Sequence, residues 1–469
     1  MIVMKFGGTS VGGPDEIRNV AQIVKSNLAR KPVVVVSAVK KITDRLIELA
    51  NLAKDSDGKE LFAAIKNIHY EILEKLKLGK NLLENDFSEL EKAVKKINGN
   101  SLDAKTLDLF QSFGERMSSK MVAAQLNAGG VKAQAFDSWE LGFVTTSDFG
   151  NAEPLDGSYV AMKKSISALK TVPVITGFIG KTEKGDIATL GRGGSDYSGA
   201  IIGAAIDAEE IQIWTDVDGI MSTDPKIVKN ARTLNKVSFA EASELAYFGA
   251  KVLHPKTILP AVKKNIPVLV LNTFNPKGKG TAILRDVGAT ETTVKAITCK
   301  KNITLINADS KRMLGAYGFL ARLFDVFYKY KQSVDVVATS EVSVSMTVDN
   351  DKSLNNILMD LKGIAEVEIF TNRAIICAVG EGMRNTPGVL GRIFSTMGKN
   401  NINVEMVSQG ASGINIKPYR IVRQAMRIWP MSLEAGLIRM RSSESPSVTA
   451  ETAPTSNNQK VAFPLHNRR

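Results

Sequence analysis

Along residues 1–290, short apolar runs alternate with amphipathic stretches. The apolar period switches between the values that strands and helices need. Ile2 to Phe6 predicts a strand, and Gly7-Gly8-Thr9-Ser10 a turn after it. Pro14 suits the first position of a helix, which Ile17, Val20, Ala21, Val24 and Leu28 continue at helical spacing. Val33 to Val36 is wholly β-branched, as in a strand covered on both faces. A second helix is predicted from about Thr43, and a longer one through Phe110, Phe113, Gly114 and Met117, stopping at Gly129-Gly130. Further strands are predicted at 172–175, 187–190, 211–214 and 268–271. Ser238 followed by Glu241 makes a capping box that opens another helix. This alternation predicts an α/β fold whose open, largely parallel sheet is covered on both faces. Residues 55–105, rich in Lys, Glu and Leu at helical spacing, predict an inserted helical hairpin.

From about residue 295 the chain repeats itself. Met313 to Phe324 matches Met383 to Phe394, with Gly318 and Gly388, Leu320 and Leu390, and Arg322 and Arg392 in register. Both copies run on into Val334-Asp335-Val336-Val337 and Val404-Glu405-Met406-Val407. Each unit reads strand, glycine turn, helix, strand: a small α+β module used twice. The last segment, 417–469, breaks the pattern. Its Ser442 to Gln459 stretch is rich in Ser, Thr, Pro and Asn and is predicted to be disordered.

Composition narrows the function classes. The chain is 44% hydrophobic and 23% charged, ordinary for a soluble globular protein. No apolar run approaches the roughly 18 residues that cross a bilayer, and no basic start with a long apolar stretch opens the chain, so a cytoplasmic protein without a membrane role is expected. Cys299 and Cys377 lie in apolar, strand-like runs, which predicts buried inert thiols and not a metal pair. The net charge of +13 is uneven: nine basic and three acidic residues fall in 417–469. The mild remainder suits anionic substrates, and no nucleic-acid motif accompanies it.

Three glycine-rich or acidic segments carry the candidate chemistry. Lys5-Phe6-Gly7-Gly8-Thr9-Ser10 ends a strand with two glycines, whose N–H groups can turn toward an anion. Lys5 adds fixed charge, and the next helix presents its positive end. It is a phosphate cradle without a Walker motif. Thr189 to Tyr197 also follows a strand and opens a helix. There Arg192 can grip a carboxylate bidentately and Asp196 can orient Lys5 or another lysine. Thr215 and Asp216 sit at a strand's carboxyl end, where open α/β sheets bind ligands. Glu115, mid-helix on an apolar stretch, is placed to face a cleft. Lys251 lies just past a helix end, and His254 beside Pro255 reads as structural.

Together these segments resemble the amino-acid kinase family and, within it, the aspartokinases. The matching stretches are KFGGTSV at 5–11, VVVVSAV at 33–39, FGER at 113–116, TGFIG at 176–180, TLGRGGSDYS at 189–198, WTDVDGI at 214–220 and ELAYFGAKVLHP at 244–255. The resemblance implies a three-layer kinase domain over 1–290, then paired ferredoxin-like ACT modules over 295–416. It implies that Lys5, Gly7 and Gly8 contact the transferred phosphoryl group, with Thr9 on the nucleotide. Ser37, Thr43 and Ser195 would line the L-aspartate site. Glu115 would hold the substrate ammonium, Arg192 its α-carboxylate, and Asp196 would order the catalytic lysine. Thr215, Asp216 and Lys251 would bind ATP, and Mg²⁺ would bridge the phosphates with no metal held by protein ligands alone. The nucleophile is a carboxylate already ionised at neutral pH, so no general base is needed. That agrees with a chain holding only His69, His254 and His466.

Departures are also legible. Met221 and Lys226 stand near the implied nucleotide site where the family commonly has Tyr and Arg. The family pattern holds to about Ile416 and then stops, which implies that the ACT modules lose elements. SVDVVATSEVSVS at 333–345 resembles lysine-sensitive members. It implies a lysine or threonine effector at Met313, Asp335, Ser340 and Glu341, and a homodimer formed through the ACT modules. The alternatives are a kinase of this fold acting on glutamate, acetylglutamate or UMP, and a non-catalytic amino-acid sensor.

Overall fold

The computed structural model describes residues 1–55, 58–97, 101–248, 255–288, 293–310, 317–349, 353–409 and 415–419. The first region opens with β1 (Ile2–Phe6), α1 (Pro14–Ser26), β2 (Pro32–Val36) and α2 (Ile42–Leu52). The inserted hairpin follows as α3 (Lys59–Leu76) and α4 (Glu84–Ile97), and then the long α5 (Ala104–Ala128). Next come β3 (Ala133–Phe136), β4 (Val144–Thr145), α6 (Asp156–Ser167), β5 (Val172–Thr176), β6 (Ile179–Thr182) and β7 (Ile187–Thr189). The region closes with α7 (Gly194–Ala205), β8 (Ile211–Thr215), β9 (Lys236–Ser238), α8 (Phe239–Tyr247), α9 (Leu259–Lys264), β10 (Val268–Asn272) and β11 (Thr281–Leu284).

Eight of these strands form one sheet in the order β3-β5-β2-β1-β8-β10-β11-β9. All pairs are parallel except β10 with β11. Alternation along β1 and β2 divides the core into two layers. Ile2, Met4, Phe6, Val34 and Val36 pack toward α1 and α5, whereas Val3, Val33 and Val35 pack toward α7. Gly203 lets α7 lie this close to the sheet: a Cβ there would stand 2.6 Å from Ile211.

Two expectations need correction. The predicted strand at 187–190 exists as β7 but does not join the main sheet. It pairs antiparallel with β6 in a separate sheet, β4-β6-β7, because the chain reverses through Gly185 at φ +85°. Leu28 does not continue α1, and it is 39% exposed. The Ser26 hydroxyl and the Asn27 amide both donate to the Ile23 carbonyl, 2.8 and 2.9 Å away, and so close the last turn.

The second region holds β12 (Ala296–Asp309), α10 (Phe319–Lys329), β13 (Val334–Thr339), β14 (Ser343–Asp349) and α11 (Leu354–Lys362). It ends with β15 (Glu366–Val379), α12 (Val389–Lys399), β16 (Met406–Gln409) and β17 (Asn415–Tyr419). One sheet, β13-β14-β12-β15-β17-β16, serves both repeat units. The strands β12 and β15, each 14 residues long, run through both, with a register shift after Lys300. Gly318 and Gly388 cap α10 and α12 with the same φ of +79°, a conformation suited to glycine, so the repeat read in sequence is a repeat in backbone. The first unit packs two helices, α10 and α11, on its face. Among the described residues, the second packs α12 alone. Strand β17 runs three residues past Ile416, with Tyr419 opposite Ile375 and Met406. The rest of the basic terminal segment lies outside the described residues. Cys377 is buried as expected, whereas Cys299 is only half-buried, though burial still pushes its thiol up to about 11. No helix among the described residues is long and apolar enough to cross a membrane.

Helix α8 joins the two regions. The Ser238–Glu241 capping box forms as expected, and the Glu241 carboxylate does more. Fully buried, it accepts from Lys295 Nζ at 2.8 Å and from the Glu381 N–H at 2.8 Å, both on the repeat side. At the other end, the Thr298 hydroxyl donates to the Phe248 carbonyl at 2.6 Å. Removing one partner of a buried ion pair strands the other charge. Lys295→Ala is therefore expected to cost about 3–5 kcal/mol, read as a lower midpoint in chemical denaturation. An unchanged midpoint would contradict this assignment.

Candidate active site

The carboxyl ends of β1 and β2 stop side by side, with the Ser37 N–H donating to the Phe6 carbonyl at 3.0 Å. The chain turns out of β1 at Gly7-Gly8. A Cβ on Gly8 would stand 2.9 Å from the Ala38 carbonyl oxygen, so the β1 turn and the loop after β2 approach closely only because glycine is there. Helix α5 reaches the same loop by the same device: a Cβ on Gly114 would stand 2.6 Å from that of Ala38. On the opposite face, Gly199 brings α7 against Lys5, whose Cβ lies 3.2 Å from where a glycine-borne Cβ would be.

These approaches enclose a cavity of about 550 Å³ at the carboxyl edge of the sheet. Lys5, Gly8, Ser37, Thr43, Glu115, Arg192, Ser195 and Asp196 all line it. Lys5 is 7% exposed, and its ammonium lies 2.5 Å from Asp196 Oδ1. Asp196 sits in the first turn of α7, where the helix dipole favours an anion. Glu115 is 3% exposed, and its Oε2 has no hydrogen-bond partner. Burial pushes this carboxyl up to about 8, against the Ala38 N–H and the charge of Lys5, which favour ionisation. A buried carboxylate oxygen without a partner, facing a cavity, fits a cationic ligand group. Arg192 is exposed on the glycine-rich loop and brings a fork of donors to the same space.

Other predicted residues lie elsewhere. Gly7, Thr9, Thr215, Asp216, Met221 and Lys226 do not line this cavity. Thr215 closes β8, the neighbour of β1, opposite Asn272, and its hydroxyl donates to Asp216 Oδ1 at 3.2 Å. The Met221 sulfur accepts from the Thr233 hydroxyl at 3.4 Å. Lys226 is exposed, its N–H held by Asp224. Lys251 and Met313 lie outside the described residues. Asp335 accepts from the Tyr247 hydroxyl at 2.7 Å and from Lys300 at 2.8 Å, so it ties the repeat sheet to the end of α8. The Ser340 hydroxyl pairs with that of Ser343 at 2.7 Å, and Glu341 is exposed.

The sequence reading missed three features. Phe178 lines the cavity in a left-handed conformation, φ +67°, which a bulky residue seldom adopts. Lys41, also lining, has φ +66°. Buried Asp108 bonds two of the surrounding loops. Its position two helical turns before Glu115 was the available signal.

Comparison with known proteins agrees with this geometry. Residues 1–272 match the model of the amino acid kinase family, and residues 376–417 an ACT domain. Aspartokinase 1, chloroplastic, of Arabidopsis thaliana is 40% identical over 434 residues, covering 88% of this chain and 76% of the relative. The lysine-sensitive aspartokinase 3 of Escherichia coli is 36% identical over 437 residues, covering 89% and 94%. The crystal structure of E. coli aspartokinase III in complex with aspartate and ADP superposes with a TM-score of 0.80 at 33% identity, covering 92% of this chain and 99% of that one. The same enzyme with lysine and aspartate gives 0.78 at 33%, covering 93% and 99%. The chain belongs to the amino acid kinase family, among its ACT-bearing aspartokinases.

Proposed function

We propose that this chain transfers the γ-phosphoryl group of ATP to the β-carboxylate of L-aspartate, giving 4-phospho-L-aspartate for lysine, threonine and methionine synthesis. The observation that carries the reading is the buried Glu115 oxygen without a partner, on one cavity with Arg192 and the Lys5–Asp196 pair. In this reading Glu115 takes the substrate ammonium and Arg192 its α-carboxylate, while Ser37, Thr43 and Ser195 line the space around them. The β-carboxylate is left free and already ionised. Lys5, held by Asp196, and the Gly8 amide meet the transferred phosphoryl group; the Gly7 amide, expected beside them, is instead committed to the Trp214 carbonyl at 3.0 Å. Positioning and charge neutralisation supply most of the rate in phosphoryl transfer.

The nucleotide lies in this reading against Thr9, Thr215, Asp216, Met221, Lys226 and Lys251. Mg²⁺ carried with ATP would neutralise phosphate charge beside the Lys5 ammonium. The likeness to the lysine-bound E. coli enzyme supports lysine as an effector in the ACT region. Tyr317, Tyr328 and Met359, exposed at 99%, 85% and 74%, support a homodimer through the first ACT module.

Hydroxylamine trapping of an ATP- and Mg²⁺-dependent product tests the reaction. Hydroxamate is expected from L-aspartate and not from glutamate, and Lys5→Ala should lower the rate at least about 100-fold. Equal product from glutamate, or an undiminished variant, contradicts the reading; a folded chain giving no product moves the non-catalytic sensor forward.

The raised Glu115 pKa sets a pH dependence. Below about 8 the ligand-free chain holds a proton there, which a bound ammonium must displace. Binding therefore releases a proton, and aspartate affinity should rise with pH up to about 8, by up to about tenfold per unit, and then level. Glu115→Gln should weaken binding and flatten the profile. Isothermal titration in two buffers of different ionisation heat reads the proton release directly.

A further inference from the structure

Asp108 is buried, and nothing in the reaction uses it. It lies on α5, with Gln111 and Glu115 three and seven residues beyond, so all three share one helical face. Gln111 and Glu115 line the cavity, and Asp108 stands one step behind them. It is 1% exposed. Its Oδ2 accepts from the Gly150 N–H at 2.9 Å and from the Thr189 N–H at 2.8 Å, and its Oδ1 accepts from the Thr189 hydroxyl at 2.8 Å. Among the described residues no cation pairs with it. Burial raises its pKa against these three donors.

The two loops it holds are those that shape the far side of the cavity. The Ala152 N–H donates to the Thr189 carbonyl at 2.9 Å, closing a small network around the carboxylate. Gly150 in turn packs on the glycine-rich loop: a Cβ on Gly191 would stand 2.8 Å from the Gly150 carbonyl oxygen. Gly191 directly precedes Arg192, and Thr189 begins the stretch that carries Arg192, Ser195 and Asp196. One rigid helix thus bears Glu115 and, two turns earlier at about 1.5 Å per residue, the anchor of the loop bearing Arg192.

We infer that Asp108 is a positioning residue for substrate binding, fixing the separation between the Glu115 carboxylate and the Arg192 guanidinium to the ammonium–carboxylate span of an α-amino acid. The inference rests on the reading of this cavity as the aspartate site. Asp108 never touches substrate. It acts by holding Thr189 and Gly150, so its loss should loosen the carboxylate-gripping loop without touching the nucleotide side. Its amide analogue can keep the network: an asparagine oxygen accepts from both N–H groups, and its NH₂ donates to the Thr189 hydroxyl oxygen.

Steady-state kinetics on three variants test this, beside hydrogen exchange on peptides spanning Gly150 and 189–195. Asp108→Ala is expected to raise the KM for aspartate about tenfold and to leave the KM for ATP within about twofold. Its exchange at Gly150 and Thr189 should be faster than in the parent chain. Asp108→Asn should restore both the KM and the protection. Should the alanine variant fail to fold, Thr189→Val removes one donor only and should raise the aspartate KM about threefold. Unchanged aspartate KM in a folded alanine or valine variant overturns the inference, as does an equal rise in both KM values. The exchange readout needs no substrate. A parent chain inactive on aspartate would overturn the functional reading, and unaltered protection at Gly150 and Thr189 would overturn the positioning role separately.

Discussion

A lysine that is 7% exposed at the end of a central strand needs a counter-charge within bonding distance, because an unpaired buried ammonium costs several kcal/mol. Lys5 finds it in Asp196, and meeting that demand fixes much of the surrounding structure. Asp196 can reach only if α7 lies against β1, and α7 lies there only because Gly199 and Gly203 face Lys5 and Ile211. The glycines before α7 and after β1 then leave backbone N–H groups where side chains would otherwise stand. The edge proposed to bind the phosphoryl group follows from how one charge is neutralised.

The opposite wall obeys the reverse rule. Glu115 is as deeply buried as Lys5, but one of its oxygens is left without a partner, and burial pushes its pKa up to about 8. The two groups are an ion pair formed within the protein and a buried carboxyl group left for a ligand cation to ionise. In the proposed reading, an α-amino acid with a second carboxylate supplies the missing cation to Glu115 and an anion to Arg192, and still presents a nucleophile toward Lys5. The ACT region is bonded to this machinery through α8, whose first turn holds Lys295 and the Glu381 N–H and whose last residues hold Thr298 and Asp335.

Much of this was legible in the chain. Strand β1, the valine-rich β2, the capping box of α8 and the Gly318/Gly388 repeat are local patterns, and local patterns survive folding. The residues that line the cavity were legible as motifs because glycine runs are costly unless a backbone must approach something closely. What local pattern cannot report is which strands become neighbours. Strand β7 looks like any buried strand yet pairs in a separate hairpin sheet. Asp108 reads as an ordinary helical acid and Glu241 as half of a capping box, and only the loops and modules brought to them by the fold show the rest of their work. Phe178 was legible only as part of the TGFIG match, and its left-handed backbone, φ +67°, was not.

The central claim is that the ammonium and the α-carboxylate are gripped and the β-carboxylate is left to react. Borohydride reduction of the acyl phosphate formed from L-aspartate reads the site of transfer directly. Phosphorylation at the β-carboxylate gives homoserine, the product this geometry predicts. Recovery of 3-amino-4-hydroxybutanoate would place the phosphoryl group on the α-carboxylate and contradict it.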